Sequence, residues 1–426
     1  MSTDRTDDGP PAGRHLALAT WALYAGLVMV MFAGGLFATL LGVRAERLGL
    51  PTAVTGLIAA AYYIGFLAGS KLTFAALAKV GHIRVYTALA SVLAGAIAAV
   101  GITDSSTAWV ALRLMTGVCT AGVYVVAESW LNDLASNENR GRLLSVYAAL
   151  TMLFYGLGQV ALTVFDTRLL VGFAVAGIVT AFAVAPVALS EAAMAPRVED
   201  AAHLSLRDLA RVVPTGVGSC LLIGIAHGGF SGMAPVYATR VGMSAAEIGL
   251  FVALPSLGGV LLSWPIAAAS DDVDRRAVGA AAAGGGCVVA LLLLLGPPDH
   301  PMALFLVALL GGLSYPLYSI SAAYTNDWVD PEHVNAAASQ LVTLYGIGAI
   351  IGPFVASGAM ILFRPVGFLW ALAVLHALVA LFFCYRIIVW RAPLAKRPWA
   401  EVSLPARAFF VPATIVATVR RVRRPD

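Results

Sequence analysis

The chain has 426 residues, of which 60% are hydrophobic and only 12% charged, with a net charge of +4. Soluble domains carry about 25% charged residues, so the composition excludes a water-soluble globular protein and makes lipid the main solvent. In lipid every backbone N–H and C=O needs an internal partner, which leaves helices or a closed barrel; the apolar runs here are long and lack two-residue alternation, which excludes the barrel.

In chain order, residues 1–15 are polar and acidic and read as a tail. The apolar run that follows is too long for the core of a cleavable signal peptide and is expected to stay as a membrane helix. Twelve spans are predicted, at 16–41, 55–78, 83–102, 108–131, 143–165, 169–190, 214–238, 248–270, 277–296, 302–325, 335–362 and 366–390. Each is about 20–28 residues long, enough to cross a ~30 Å hydrocarbon core. The expected fold is an all-α membrane protein of twelve transmembrane helices in two pseudo-symmetric six-helix bundles, 16–190 and 214–390. Segment 191–213 reads as a linker with a short amphipathic helix at 205–211. The tail 391–426 sets Phe409, Phe410, Ile415 and Val419 before Arg420, Arg421, Arg423 and Arg424; binding to anionic lipid and plain disorder both fit it.

With the N-terminus inside, the inner segments carry 19 Lys/Arg: two in the first tail, two after helix 2, two after helix 4, three in the linker, two after helix 8 and eight in the last tail. The outer loops carry five, Arg44, Arg47, Arg168, Arg240 and Arg364. The positive-inside rule then places both termini in the cytoplasm. No folded basic surface accompanies the last tail, so nucleic acid is not an expected partner. The four cysteines (Cys119, Cys220, Cys287, Cys384) fall inside spans without metal-ligand or disulfide spacing and read as small buried hydrophobes. There is no phosphate-cradling loop. No cofactor, metal or catalytic cluster is expected, and the chain is expected to be a monomer.

An internal repeat organises the whole. Residues 35–84 align with 228–277 without a gap at an offset of 193. Ala45-x-Arg47-x-Gly49 meets Ala238-x-Arg240-x-Gly242, and Gly56, Gly65 and Ser70 meet Gly249, Gly258 and Ser263. Further on, Asn132-Asp133 meets Asn326-Asp327 at an offset of 194, and Tyr155-Gly156-Leu157-Gly158 meets Tyr345-Gly346-Ile347-Gly348 at 190. Two like-facing copies of one membrane unit are the mark of a two-bundle transporter.

These motifs resemble the major facilitator superfamily over about residues 16–390. That family carries Gly-x-x-x-Asp-Arg-x-Gly-Arg-Arg between helices 2 and 3. Here the first copy runs from Ala75 to Arg84 with Ala78 in the place of the Asp, and the second copy, 270–276, has Asp271 there. The resemblance implies an inner latch at Lys79, Arg84, Asp271, Arg275 and Arg276, lacking its anion in the first copy. Arg113-x-x-x-Gly117-x-x-x-Ala121 in helix 4 is similar to a family pattern whose arginine is tied to proton coupling. Gly352-Pro353 stands in helix 11, and helix 5 has no proline beside Gly156 and Gly158, so the resemblance does not fix the direction of transport. The segments Glu128–Asn132, Arg140–Arg142 and Gly81–Arg84 look like a bacterial subgroup whose substrates are mostly unassigned.

The scarce charges inside the spans point to the site. An ionisable group at membrane depth costs about 2.5–3.5 kcal/mol on insertion scales. At 100° per residue Arg113, Gly117, Thr120, Tyr124 and Glu128 share one face of helix 4, between apolar flanks, and such a stripe must face a cavity or a partner. Arg113 and Glu128 are ~22 Å apart along the axis and cannot pair. Their repeat partners are Val307 and Ala322, so the cavity is expected to be electrostatically lopsided. His227 is followed by Gly228-Gly229 in helix 7, where weak helix would turn backbone groups toward a ligand. His376 is set aside: it has no glycine neighbours, and its helix is peripheral in the family. Lys71 is expected to snorkel inward.

The expected substrate-binding residues are Arg113, Tyr124, His227, Phe37, Tyr62, Tyr155, Gln159, Phe230, Tyr318 and Tyr345, with Tyr315 a further lining candidate. Arg113, Glu128 and His227 are the expected coupling residues. The leading reading is a secondary transporter for a small organic solute, coupled to protons and working by alternating access. An uncoupled facilitator and an exporter of drugs or metabolites are the alternatives within transport. A membrane sensor or enzyme on the same scaffold is the alternative outside it, but it would need a nucleophile–base cluster or a soluble domain.

Overall fold

The computed structural model describes residues 13–135, 139–165, 170–190, 204–298 and 300–389. The first residues of the chain, most of the linker, Arg168 and the tail 391–426 lie outside these, and so does the expectation of lipid binding by that tail. Twelve described helices are long and apolar enough to cross a membrane. We label them α1 (Gly13–Arg47), α2 (Thr52–Val80), α3 (His82–Ile102), α4 (Ser106–Leu134), α5 (Arg140–Val160), α6 (Val171–Ala188), α7 (Pro214–Arg240), α8 (Ala245–Asp272), α9 (Arg275–Leu293), α10 (Pro301–Asn326), α11 (Val334–Phe363) and α12 (Gly367–Val389). The surface helix Leu206–Val212 is present, capped by the Ser205 side chain on the Asp208 N–H.

The helix ends are written in local chemistry. Ser105 caps α4, and Ser244 with Glu247 forms a reciprocal capping box on α8. α1 and α7 outrun their predicted ends and finish in the same way. The N–H groups of Gly49 and Leu50 bond the carbonyls of Glu46 and Ala45; those of Gly242 and Met243 bond Thr239 and Ala238. Gly49 and Gly242 hold φ of 68° and 85°, the left-handed turn that only glycine takes cheaply. The Ala-x-Arg-x-Gly repeat is therefore a pair of matching helix stops. Two predicted spans are interrupted. α6 breaks at Ala183 and α10 at Tyr315, because Pro186 and Pro316 have no N–H to give the carbonyl one turn back.

The repeat is a repeat of contacts. A Cβ on Gly65 would run into the Leu114 carbonyl, and one on Gly258 into the Ala308 carbonyl. Gly117 sits on Tyr62 as Gly311 sits on Pro255. Each pair occupies corresponding positions of the halves, so α2 grips α4 as α8 grips α10. Without a hydrophobic force between helices in lipid, such close backbone contact at small residues supplies the packing energy. α3 packs on α6, and α9 on α12, at the periphery.

Between the halves, α2 meets α11, α5 meets α8 and α1 meets α7. We call the end bearing the α1–α2 and α7–α8 turns the distal face and the end bearing the surface helix the linker face. The seam is sealed distally: Gly42 lies against Pro235, Gly56 against Pro353 and Ser357, and Gly232 against Ala59. Toward the linker face it is splayed. α2 is largely buried from Thr55 to Phe66, but Lys71, Leu72 and Phe74 are exposed, as are Leu261 and Trp264 of α8. The conformation is thus closed distally and open toward the linker face.

Candidate functional site

A cavity of about 750 Å³, mouth included, lies in the seam. Its wall comes almost wholly from the N-terminal half: Phe37 of α1, Tyr62 and Tyr63 of α2, Arg113, Thr116, Thr120 and Tyr124 of α4, and Tyr155 of α5. The C-terminal half adds Ser231 and Gly232. Arg113 is 8% exposed and is the only charged residue among the described residues lining this space. Its guanidinium lies over the Tyr62 ring at 4.4 Å and the Phe37 ring at 5.4 Å, contacts that hold the cation by its flat faces and leave its N–H edge uncovered by them. Among the described residues nothing accepts a hydrogen bond from that edge, and Nε is buried without a partner. A buried charge is normally paired or hydrogen-bonded; among the described residues this edge is neither.

The polar stripe on α4 needs a correction. Thr116, not Gly117, shares the cavity face with Arg113, Thr120 and Tyr124; Gly117 is taken up by the contact with α2. Glu128 is buried further toward the linker face, outside this wall, with its carbonyl accepting from the Asn132 amide at 2.9 Å. Tyr124 donates to the Met31 sulfur at 3.0 Å. Lys71 is exposed on α2.

A second space of about 370 Å³ adjoins the first along the seam, sharing Tyr155 and Ser231 with it and adding Gln159, Phe230, Ser256 and Tyr315. It leads to a third, about 290 Å³, inside the C-terminal half, which shares Phe230 and Tyr315 and holds His227, Ser314 and His376. His227 therefore does not meet Arg113 in one cavity. Gly228 and Gly229, expected to open the backbone to a ligand, instead let α7 lie directly on Ala349 and Gly352 of α11. His227 Nδ1 is 2.9 Å from the Tyr345 hydroxyl and Nε2 is 2.9 Å from Ser314 Oγ. His376 is the residue sequence reasoning set aside, and α12 brings it to the same serine: its Nε2 is 2.8 Å from Ser314 Oγ, and its Nδ1 is 2.8 Å from the Leu372 carbonyl. Tyr318, expected in the cavity wall, is buried edge-on to Tyr345 at 5.3 Å and lines none of these spaces. The signal for His376 was its cost: a histidine in an otherwise apolar helix needs a partner wherever that helix packs.

At the linker face, Arg275 donates from Nε to Asp327 Oδ2 at 2.8 Å and from Nη1 to Asp271 at 3.0 Å, and Arg276 pairs with Asp274 at 2.7 Å. These pairs bind α8, α9 and α10 to one another within the C-terminal half. Lys79 and Arg84 are exposed and form no ion pair among the described residues. The first copy uses another residue. His82, the repeat partner of Arg275, is buried, bonds Ser129 at 3.0 Å, and stands 3.6 Å from Asp133, the repeat partner of Asp327. The N-terminal half thus keeps the same tie with a histidine in the arginine's place and no carboxylate at Ala78. Ala78→Asp with His82→Arg should rebuild the stronger version, worth about 1 kcal/mol and raising the unfolding midpoint in detergent by ~2 °C; an unchanged or lower midpoint would show that the two ties are not equivalent.

At the distal face, Arg240 of α7 makes a two-pronged pair with Glu46 of α1, Nε–Oε1 2.8 Å and Nη2–Oε2 2.5 Å, and its Nη1 reaches Thr52 at 3.1 Å. The sequence marks Arg240 as an outer-loop charge and a repeat position, not as one half of an ion pair.

The family described as Major Facilitator Superfamily matches residues 23–245 and 217–425. The chain belongs to it. A curated relative, the Escherichia coli protein named "Uncharacterized MFS-type transporter YcaD", is 28% identical over 337 residues, 78% of this chain and 86% of its own length. Among solved structures, the nucleoside transporter NupG (D323A mutant) aligns with a TM-score of 0.72 at 11% identity over 87% of this chain and 99% of its own. A bacterial homologue of the human lysosomal transporter Spinster, in an inward-facing and unoccupied conformation, aligns with a TM-score of 0.68 at 13% identity over 98% of this chain and 100% of its own. The protein is therefore a multi-pass membrane transporter of a small molecule, and its relatives are transporters, not enzymes.

Proposed function

We propose that the protein is a secondary transporter of the bacterial cytoplasmic membrane, with both termini cytoplasmic, moving a small organic monoanion that carries a flat ring. The halves 16–190 and 214–390 rock about the seam, and the linker face, which the excess of Lys/Arg marks as cytoplasmic, is the open side here. One observation carries the cargo class: the unpartnered edge of Arg113 in a cavity walled by Phe37 and four tyrosines. A single buried cation neutralises one negative charge; a dianion would leave the second uncompensated, and a cationic solute would meet like charge with no carboxylate. The rings offer edge and face contacts to a flat body, and the tyrosine and threonine hydroxyls offer hydrogen bonds at little desolvation cost. Proton coupling is assigned to the C-terminal half, through His227. The side chains hydrogen-bonded around it, Tyr345, Ser314 and through Ser314 His376, can take up charge without competing with cargo for the Arg113 cavity.

The test is a thermal-shift screen of purified protein. Benzoate-like monocarboxylates and aromatic monosulfonates should raise the unfolding midpoint, by several degrees at 100 times Kd, while dicarboxylates, quaternary amines and uncharged nucleosides should not. Stabilisation confined to cations or neutral solutes would overturn the cargo class. Flux of a stabilising monoanion that ignores an imposed pH gradient would make the protein an uncoupled facilitator.

A further inference from the structure

The hydrogen bonds around Ser314 can be satisfied in one way only when all groups are neutral. A backbone carbonyl only accepts, so His376 Nδ1 must carry a proton for Leu372, and its Nε2 is then an acceptor. The Ser314 hydroxyl therefore donates to His376 Nε2 and accepts from His227 Nε2–H. That leaves His227 Nδ1 bare, and the Tyr345 hydroxyl must donate to it. The result is one directed string across four helices: Tyr345 of α11, His227 of α7, Ser314 of α10 and His376 of α12.

We propose that this string is a proton-binding site that holds one transferable proton, separate from the cargo cavity, with His376 as the group that carries the charge. The inference rests on the proton-coupled reading above. A proton reaching the Tyr345 oxygen releases that hydroxyl's own proton to His227 Nδ1. His227 Nε2–H passes to Ser314 Oγ, and the serine's proton passes to His376 Nε2. Each O–H or N–H broken is matched by one formed, and the net change is one proton gained at His376. Every hydrogen bond is kept with its direction reversed, and Nδ1 still donates to Leu372. A second proton would put two imidazolium rings on one hydroxyl, their Nε2 atoms no more than ~6 Å apart on the two short bonds, where like charges oppose each other.

The surroundings fit a site that is emptied in this conformation. α8 presents Pro255 to the histidines, α9 presents Gly286, and α10 presents Tyr315 besides the serine. Tyr318 lies beyond Tyr345. No carboxylate, lysine or arginine lines the histidine cavity among the described residues. The link to the seam is Tyr315, whose ring lies 4.9 Å from His227 and also lines the space shared with Gln159 and Tyr155. It stands at the break in α10, directly after Ser314. A movement of α10 that follows seam closure must shift Ser314 and cut or remake the string.

The test needs no cargo. Protein with ¹⁵N-labelled histidine is placed in lipid nanodiscs and titrated from pH 8 to 5 by NMR, with His227→Gln and His376→Gln to assign the signals. At high pH, His376 should be the Nδ1–H form and His227 the Nε2–H form. On acidification the two rings should change together at one midpoint, with one proton taken up between them. Ser314→Ala should split them into two unlinked titrations, and Ser314→Thr, which keeps the hydroxyl, should restore the single one. Tyr345→Phe should slow uptake in a pH jump by tenfold or more at an unchanged midpoint, which a merely structural tyrosine would not do. Two protons bound, two midpoints in the unaltered protein, or two rings that stay neutral throughout would each overturn the proposal. Joint titration together with cargo flux indifferent to pH would keep the string as a proton site and remove only the coupled reading.

Discussion

Arg113→Ala abolishes transport of a stabilising monoanion in proteoliposomes, while the purified variant keeps its elution volume and helical content. The expectation follows from the guanidinium edge. A hydrogen bond to a charged group is worth about 1.5–3 kcal/mol, so removing the cation weakens binding by roughly 10- to 150-fold. The loss of folded stability is small by comparison. Arg113 touches its neighbours mainly through the faces of Tyr62 and Phe37, and truncation removes a buried charge that no described residue compensates. The variant should even unfold at the same or a slightly higher temperature without ligand, and lose the ligand-induced shift. Arg113→Lys is the sharper control. It keeps the charge but not the planar fork, so partial binding with altered preference among monoanions is expected. Full transport by Arg113→Ala would remove the cavity's assigned role.

Much of this architecture could be read from the sequence because it is written in small residues and loops. The Gly65–Gly258 and Gly49–Gly242 matches survive in both halves because close backbone contact and a left-handed turn tolerate no side chain. Arg113, Phe37, Tyr62, Tyr124 and Tyr155 converge because α1, α2, α4 and α5 turn one face to the seam, and a charge within that face is visible as an anomaly. The seam's closure was not visible. Nothing in the one-dimensional pattern says that Arg240 meets Glu46, since the two come together only when the halves tilt. That His376 meets Ser314 was hidden for a related reason. Its helix is peripheral, but in lipid a buried polar ring is placed by its partner and not by the rank of its helix. Gly228-Gly229 was misread because a glycine pair serves helix packing as readily as ligand access.

Breaking the distal pair should move the whole conformational equilibrium. Arg240 and Glu46 are each about one-fifth exposed, with side-chain exposures of 23% and 20%, and their two-pronged geometry with the added bond to Thr52 places them above an ordinary surface pair. In the repeat, Arg47 corresponds to Arg240, but Glu46 corresponds to Thr239; the C-terminal half has no matching acid, so this clasp is one-sided and has no pseudo-symmetric spare. It also exists only while the distal face is shut, so its whole energy counts toward that state. At about 1–2 kcal/mol its loss shifts the ratio of distally closed to distally open molecules by roughly 5- to 30-fold. Spin labels at Leu48 and Ala246, both exposed beside the two turns, should report a longer distance population in Arg240→Ala and in Glu46→Gln. The swap Glu46→Arg with Arg240→Glu should bring the short population back, because the fork and the carboxylate still meet across the seam. Transport should slow in the single variants and recover in the swap, since alternation needs neither state to dominate. An unchanged distance distribution in Arg240→Ala would mean that Gly42 on Pro235 and Gly56 on Pro353, and not the ion pair, hold the distal face closed.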